Sequence, residues 1–320
     1  MRGADYIVRR IVFALLTVFV AITINFALFR LAPGSAVTNL ARVPHATPET
    51  RLAIKRQFGL DKSKWQQYWI YLGQLFRGNL GVSFANSQPV SKNLRSAVIN
   101  TIPMVMIGTI FAIVLGTLTG VIAAWRRGTK IEGASVTTAL AFYSMPTHWL
   151  GLMLVILFAG TLPTGGMSNE FLLNPSFFTH LKDLAEHVAL PSLTLGLVLY
   201  GEYTLIVRSA MLETLGEDYV LTARAKGFRA GSILRRHALR NAMLPIATLI
   251  ALSLGYIVAG AILVETVFSW PGVGRAVYDA VLQRDYLTLQ GAFLLLTISV
   301  VFFNLIADLL YFKLDPRITT

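Results

Sequence analysis

Long uncharged apolar runs are the feature that most constrains this chain. The runs 11–29 and 101–125 contain no charged residue. At ~1.5 Å per helical residue, each is long enough to cross the ~30 Å hydrocarbon core of a bilayer. Further apolar segments lie at 134–159, 188–207, 242–264 and 286–307. The pattern predicts an all-α, polytopic membrane protein with six transmembrane helices.

Composition excludes several kinds of chemistry. Hydrophobic residues make up 55% of the chain and charged residues 14%, against ~25% charged in an ordinary soluble domain. With no cysteine, disulfides and thiolate sites are excluded. Neither G-x-x-x-x-G-K nor H-E-x-x-H occurs. We therefore expect no catalytic residue, metal site or cofactor in this chain, and we do not expect an enzyme. Weak metal contact by His180 and His187 is the minor alternative.

Basic residues orient the predicted spans. Lysine and arginine gather at 2–10, 126–130, 208–240 and 313–317, which places both termini in the cytoplasm. The segment 30–95 is also basic, but loops beyond about 60 residues cross largely regardless of charge. The net charge of +12 therefore marks membrane orientation, not nucleic-acid binding. A secretory signal is the alternative for the first run, although signal cores are typically only ~7 to 15 residues long.

Three regions follow from the spans. Residues 1–32 form the N-terminal cytoplasmic tail and first span, and 33–100 form an extracytoplasmic loop with short helices. Residues 101–320 form the core, with five spans and a cytoplasmic loop at 209–241. In the outer loop we expect one helix at 48–59 and a second, rich in aromatic residues, at 65–76. The aromatic face lies either at the membrane surface or against another protein.

Proline and glycine mark special positions within the spans. We expect three prolines in the opening turns of spans two, four and five, where a missing N–H costs little: Pro103, Pro191 and Pro245. Pro146 instead falls inside span three and predicts a kink or break, which either lines a pathway or is absorbed by packing. In span two, Gly116, Gly120 and Ala124 recur every four residues, which favours close approach of another helix. Asn304 and Asp308 are expected to tie span six to a neighbour.

The cytoplasmic segment 217–227 reads as a short helix with complementary charges. Glu217 and Asp218 lie in its first turn, basic residues lie in its last, and Gly227 occupies the stopping position. Ser232 is expected to cap a second helix that runs towards span five. Two helices joined by a glycine bend would form a rigid lever. A solvated loop is the alternative.

Sequence motifs resemble one transporter family. The runs EDYVLTARAKG (217–227) and RHALRNAMLP (236–245) closely resemble the signature of ABC importer permeases of the dipeptide, oligopeptide and nickel branch. Segments 190–197, 265–274 and 304–317 resemble that family's fourth span, outer turn and C-terminus. Segments 59–61 and 78–81 resemble its first outer loop, so the resemblance touches nearly the whole chain.

The resemblance implies a function. It implies a type I ABC importer-like permease in the bacterial inner membrane, forming half of the translocation pathway for di- or oligopeptides. Nickel chelates, glutathione or oligosaccharides are alternative substrates, and an ion-coupled secondary transporter is a weaker alternative. Implied partners are a second homologous permease, two ATPase subunits or domains that bind ATP and Mg, an extracytoplasmic substrate-binding protein and membrane lipid, with no nucleic acid.

The resemblance also assigns site residues. The helix before the glycine corresponds to the coupling helix, which docks on the ATPase. By position, the ATPase-coupling residues are Glu217, Asp218, Tyr219, Thr222, Ala223, Arg224, Lys226 and Gly227. The wider importer pattern has Glu-Ala-Ala where this chain has Leu-Thr-Ala (221–223), and Leu244 and Pro245 come five residues later than the usual Leu-Pro. This departure matches the peptide branch and leaves individual contacts open.

Four residues are candidates for the pathway or a gate: Pro146, Glu202, Tyr256 and Glu265. Glu202 and Glu265 are acids within apolar segments, where charged groups are costly and often functional. For Glu202, a structural pairing across helices and a proton relay are both open.

Overall fold

The computed structural model of the chain describes residues 2–31, 49, 62–83, 85–169, 171–172, 176–243, 246, 250 and 262–314. The helices are α1 (Arg2–Leu31), α2 (Lys64–Phe76), α3 (Val90–Trp125), α4 (Lys130–Ser144), α5 (Thr147–Phe158), α6 (Phe177–Leu215), α7 (Asp218–Ala225), α8 (Ala230–Ser232), α9 (Ile262–Val267), α10 (Val273–Leu282) and α11 (Tyr286–Leu314). Helix α8 continues through a π-helical stretch, Ile233–Ala238, to residue 243; we call 230–243 the α8 segment. Within these ranges there is no β-strand, which confirms the all-α prediction.

Several helices are able to cross a membrane. Helices α1, α3, α6 and α11 are each long and apolar enough, and they contain predicted spans one, two, four and six. Helices α4 and α5 pass the same test only as a pair, bent by 103°. Most of predicted span five (242–264) lies outside the described residues, as do Pro245, Tyr256 and all but one residue of the predicted helix at 48–59.

The bend between α4 and α5 is located at Pro146. Helix α4 ends at Ser144, and Pro146 precedes α5 with φ −59° and ψ 125°. A proline forces its predecessor out of the helical region, and Met145 accordingly has ψ 129°. The kink or break expected at this proline is confirmed. Neither helix reaches ~30 Å alone at ~1.5 Å per residue. The segment predicted as span three is therefore two helices and not one rod, and the pair forms either a broken span or a re-entrant loop.

Two other prolines do not lie where the sequence placed them. Pro103 and Pro191 lie inside α3 and α6, so their expected place in the opening turns was wrong. Both helices begin well before the apolar segment: α3 at Val90 and α6 at Phe177. For α3 the reason is packing: its first residue, Val90, is fully buried among residues of α10 and α11. This burial stabilises helical structure before the apolar run begins.

Helices α3 and α6 approach each other closely along small residues. A β-carbon added at Gly116 would lie 2.5 Å from Tyr203 Cβ, and one at Gly120 would lie 2.7 Å from the Thr204 carbonyl oxygen. The Thr119 and Thr204 hydroxyls are hydrogen-bonded at 2.9 Å. The close approach expected at these glycines is therefore confirmed, with α6 as the partner helix.

The contacts between α1 and α11 show that the start of α1 and the end of α11 lie at the same end of the bundle. Arg10 Nη1 lies 3.0 Å from Asp308 Oδ2. Near the other end of both helices, Asn25 Nδ2 donates to the Gln290 carbonyl oxygen at 2.9 Å. The two helices are therefore antiparallel neighbours. The expected tie from Asp308 to a neighbouring helix is confirmed, with Arg10 as its partner.

The same end of the bundle also holds the loop helices. The start of α3 packs on the start of α11 through Leu94 and Leu289, so these two helices are parallel. At the far end of α3, Ala124 packs with Met211 of α6 and Ala238 of the α8 segment. We call this the basal end, because the start of α1, the end of α11, α7 and the α8 segment meet there. The opposite end is the distal end.

Candidate functional site

Helix α7 is a separate short helix at the basal end. Glu217 precedes it in extended backbone, with φ −71° and ψ 147°. Asp218 lies in its first turn and Arg224 in its last, so both charges complement the helix dipole. The helix predicted at this segment is therefore present, with its charges at the expected ends.

The end of α7 is a Schellman motif built around Gly227. This glycine has φ +76°, which an L-residue with a β-carbon rarely adopts. The Phe228 N–H donates to the Ala223 carbonyl at 3.2 Å, and the Gly227 N–H donates to the Arg224 carbonyl at 2.9 Å. These two bonds satisfy carbonyls that a helix end leaves unpaired. The chain is thus turned sharply into the α8 segment.

Helix α7 has a buried face and an exposed face. Val220 and Ala223 are buried against Ile233 and the partly buried Leu215. The other positions are exposed, and those most directly opposite the buried face, at about 100° per residue, are Asp218, Leu221, Thr222 and Ala225. Of the eight predicted coupling residues, Ala223 thus lies on the buried face and the other seven are exposed. Leu221, which is not among the eight predicted coupling residues, also lies on the exposed face.

Polar and aromatic contacts join α7 to the α8 segment. Asn241 Nδ2 donates to the Tyr219 hydroxyl at 2.7 Å, and the Phe228 and His237 rings are 5.8 Å apart. The α8 segment begins at Ala230 rather than after Ser232, so the expected cap at Ser232 was wrong. Arg229, with φ −60° and ψ 140°, is instead the residue that precedes the helix, and the Ser232 N–H donates to its carbonyl oxygen at 2.8 Å.

The α8 segment is attached to the membrane helices. Ala238 and Ala242 are buried with Val207 and Met211 of α6 and Ala124 of α3. A displacement of α7 would therefore reach α3 and α6 through side-chain packing. A cavity of about 620 Å³ lies beside this joint; its lining includes Trp125, Arg127, Leu215, Arg224, Phe228 and Ile233.

The pathway candidates lie on separate elements. Pro146 is exposed at the break between α4 and α5, and Glu202 is half-buried in α6. Within the described residues, the Glu202 carboxylate has no hydrogen bond or ion pair. Arg208, further along α6, instead pairs with Glu132 of α4, with Arg208 Nε 3.0 Å from Glu132 Oε1. The fourth candidate, Tyr256, lies outside the described residues.

Glu265 lies at the distal end, where it joins three helices. It is fully buried. Its Oε1 accepts from the Thr101 hydroxyl of α3 at 2.8 Å, and its Oε2 accepts from the Arg275 backbone N–H at 2.9 Å. The Thr101 hydroxyl in turn accepts from the Val273 N–H at 2.9 Å. The carboxylate thus sits at the positive N-terminal end of α10, where the helix dipole favours a negative charge.

His187, one of the two histidines considered for metal contact, is paired with Asp183 of the same helix. His187 Nδ1 lies 3.3 Å from Asp183 Oδ1 and 2.8 Å from the Asp183 carbonyl oxygen. The Asn169 N–H donates to Asp183 Oδ2 at 3.0 Å. Across the part of the chain that the structure describes, no group of three or more His, Asp or Glu residues is placed to hold a metal ion.

The described helices thus form a bundle able to cross a membrane, with a helix–glycine–helix element packed across its basal end. Residues 116–320 match the family described as binding-protein-dependent transport system inner membrane component, and residues 4–105 match the N-terminal model of such membrane components. The chain belongs to this family, as a multi-pass inner-membrane protein.

Three relatives illustrate the likeness. The chain is 37% identical to a di/tripeptide transport system permease protein of Pseudomonas aeruginosa, over 98% of both chains. It is 38% identical to the dipeptide transport system permease protein of Escherichia coli K12, again over 98% of both. A glutathione transport system permease protein of the same strain is 32% identical, with 98% of each chain covered. The resemblance to ABC importer permeases is therefore confirmed.

Proposed function

We propose that this chain is one permease of an ATP-driven importer of di- or oligopeptides, and that α7 is the helix through which a partner ATPase moves it. The observation that carries the proposal is the construction of α7. Its exposed face carries Asp218, Leu221 and Thr222, while Val220 and Ala223 attach it to the α8 segment. A helix with one free face and one anchored face can receive a push and transmit it.

The transmission route follows the packing. A force on the exposed face of α7 acts on Ile233 through Val220 and Ala223. The α8 segment then transmits the force to α3 at Ala124 and to α6 at Met211, against which it packs. Because α3 and α6 are in close contact through Gly116 and Gly120, they move together. Alternating access then results when these packed helices rock against a second permease.

The proposed substrate is a peptide because relatives of this chain are named for peptide transport. Two relatives at 37% and 38% identity are named for di/tripeptide and dipeptide transport. The glutathione permease relative at 32% also concerns a tripeptide, so glutathione is the second candidate. Short peptides are the class that accommodates all three names.

The proposed complex contains two permeases, two ATPase subunits or domains and an extracytoplasmic binding protein, with both termini of this chain in the cytoplasm. Arginine and lysine support this orientation, since they are concentrated at the basal end, in 126–130 and 208–240, and positive residues favour the cytoplasmic side. In this orientation α7 faces the ATPase, and Glu265 lies at the extracytoplasmic end, where it holds α3, α9 and α10 together.

The proposal is tested by reconstituting the complete importer in liposomes and measuring uptake of a labelled dipeptide. We expect uptake to require ATP on the side of the membrane where the ATPase lies, and to continue unchanged when ion gradients across the membrane are collapsed. The paired change Gly227→Pro and Asp218→Lys should abolish uptake while the chain remains in the membrane. Uptake driven by an ion gradient without the ATPase would instead identify a secondary transporter. Competition by unlabelled glutathione and dipeptides then separates the two candidate substrates.

A further inference from the structure

Helix α2 is attached to the distal end of the bundle by one of its faces. Ser63 caps the helix in a reciprocal capping box with Gln66. Tyr68, Tyr71 and Leu72 are buried against α1 and α11. The position of α2 relative to the membrane helices is therefore set by side-chain packing.

A second face of α2 is aromatic and uncovered. Trp65, Trp69 and Phe76 fall within an arc of about 40° at 3.6 residues per turn. They are 67%, 57% and 87% exposed, respectively. The neighbouring edge is polar, with Gln66 and Arg77 at about 80° to 100° from the centre of the aromatic arc. This division into packed, aromatic and polar edges is typical of a helix that lies at a boundary between two solvents.

The depth of the aromatic edge follows from a contact to α1. The Tyr68 hydroxyl and the Thr23 hydroxyl are 2.8 Å apart. Thr23 precedes Arg30, near the distal end of α1, by about two helical turns, or ~10 Å along the axis. The apolar run 11–29 covers about 28 Å, so Thr23 lies inside the hydrocarbon region and not above it. Tyr68 thus reaches below the level of Arg30.

The two tryptophans lie beside that tyrosine. The Trp65 and Trp69 rings are 6.0 Å and 5.9 Å from the Tyr68 ring. One turn before Thr23, on the same side of α1 at about 100° per residue, Phe19 and Val20 expose apolar side chains. The aromatic edge of α2 therefore continues an apolar surface that belongs to a membrane-crossing helix. Indole rings are favoured at this boundary, where the apolar body meets acyl chains and the N–H meets headgroups.

We propose that α2 is an interfacial helix whose aromatic edge is in contact with phospholipid at the boundary between headgroups and acyl chains. The partner of Trp65, Trp69 and Phe76 is lipid and not another protein. In the assembled importer this helix fixes the depth of α1 and α11 at the distal end. The inference does not depend on the transported substrate or on the role of α7.

The absence of cysteine from the chain allows single spin labels to test this proposal. Trp69→Cys and Phe76→Cys place a label on the aromatic edge, and Arg77→Cys places a matched label on the polar edge. Leu28→Cys, on the exposed side of α1, is the lipid-facing reference. Each labelled chain is assembled with its partners in lipid nanodiscs. Collision of the label with oxygen, which partitions into lipid, is compared with collision with a polar nickel chelate.

We expect the oxygen-to-nickel ratio at positions 69 and 76 to resemble that at 28 and to exceed that at 77. Ratios at 69 and 76 as low as at 77 would show a water-facing edge and overturn the proposal. Exclusion of both reagents from 69 and 76 would show that protein covers the edge, and would also overturn it. Measurements with and without the binding protein show whether that protein is the one that covers the edge.

A second measurement needs no cysteine substitution and no label, so that it does not depend on the folding of labelled variants. Lipids brominated near the headgroup quench tryptophans in contact with them, while the fully buried Trp270 provides an unquenched reference. We expect quenching of the unlabelled chain, and a smaller quenched fraction after Trp65→Phe and Trp69→Phe together. An unchanged quenched fraction in the double variant would contradict lipid contact at these residues.

Discussion

The backbone conformation of Gly227 leads to a graded prediction. In its left-handed conformation, φ +76°, no described atom lies within 4 Å of an added β-carbon. A substitution there is therefore strained by backbone conformation alone and not by collision with a neighbour. Alanine in this region costs roughly 1–2 kcal/mol. Asparagine, which also ends helices in this conformation, should cost less.

Proline at the same position has two further effects. Its ring fixes φ near −65°, far from +76°, and it removes the N–H that donates to the Arg224 carbonyl. The cost is then about 3 kcal/mol or more. About 1.4 kcal/mol corresponds to a tenfold change in an equilibrium constant, so Gly227→Ala shifts the equilibrium of the helix-ending turn ~5- to 30-fold towards its open form. Because the proposed coupling needs the closed turn, ATP-driven uptake should fall by at most that factor for Gly227→Ala, less for Gly227→Asn, and to background for Gly227→Pro.

The assay is dipeptide uptake into liposomes that contain the whole importer, normalised to the amount of this chain in the membrane. Gly231→Ala is the matched control. An added β-carbon there also meets no described atom within 4 Å, but Gly231 lies in a helical turn without positive φ. That variant should retain full uptake. Equal uptake by wild type, Gly227→Ala and Gly227→Pro, or an equal loss in Gly231→Ala, would show that the positive φ of Gly227 does not control coupling.

Three further predictions concern the bundle. Gly116→Val should lower the thermal unfolding midpoint in detergent, because overpacking costs ~1–3 kcal/mol. Gly133→Ala, where no described atom lies within 4 Å of the new β-carbon, is the control and should leave the midpoint unchanged. Equal midpoints for the two variants would contradict tight α3–α6 packing. Glu265→Ala should destabilise by about 1–3 kcal/mol for each buried donor left unpaired, and the isosteric Glu265→Gln by less; the reverse order in the same assay would argue against the hydrogen-bond assignment. Arg208 and Glu132 are tested as a pair. The double variant Arg208→Ala, Glu132→Gln should lose no more stability than the more destabilised of the two single variants. Additive losses would show that the two side chains act independently.

The membrane-crossing helices could be predicted because a single local property, apolarity, decides them. Their ends could not. Val90 and Phe177 begin α3 and α6 in polar sequence, and Val90 is held there by α10 and α11, which are distant along the chain. Apolarity marks the part of a helix that lipid surrounds, whereas tertiary packing determines how far the helix continues outside.

In the candidate site, too, local sequence signals predicted some features, and contacts between distant residues determined the others. Asp218, Arg224 and Gly227 are local signals, and they located α7 and its end. The burial of Ala223 could not be inferred from them, because it depends on contact with Ile233, beyond the glycine turn. Glu265 was identified only as an acid in an apolar segment. Its hydrogen bond to Thr101 joins residues far apart in the sequence, which local patterns do not reveal.

In the proposed importer the exposed face of α7 contacts the ATPase, and crosslinking from that face detects the contact. A photoreactive label on Thr222→Cys, the only cysteine of that variant, is activated in the assembled importer, and the crosslinked protein is identified by mass spectrometry. Lys182→Cys carries the same label on an exposed residue of the distal end. We predict that the label at 222 captures the ATPase and that the label at 182 does not. Failure of the label at 222 to capture the ATPase in an importer that hydrolyses ATP would show that α7 does not dock on the ATPase.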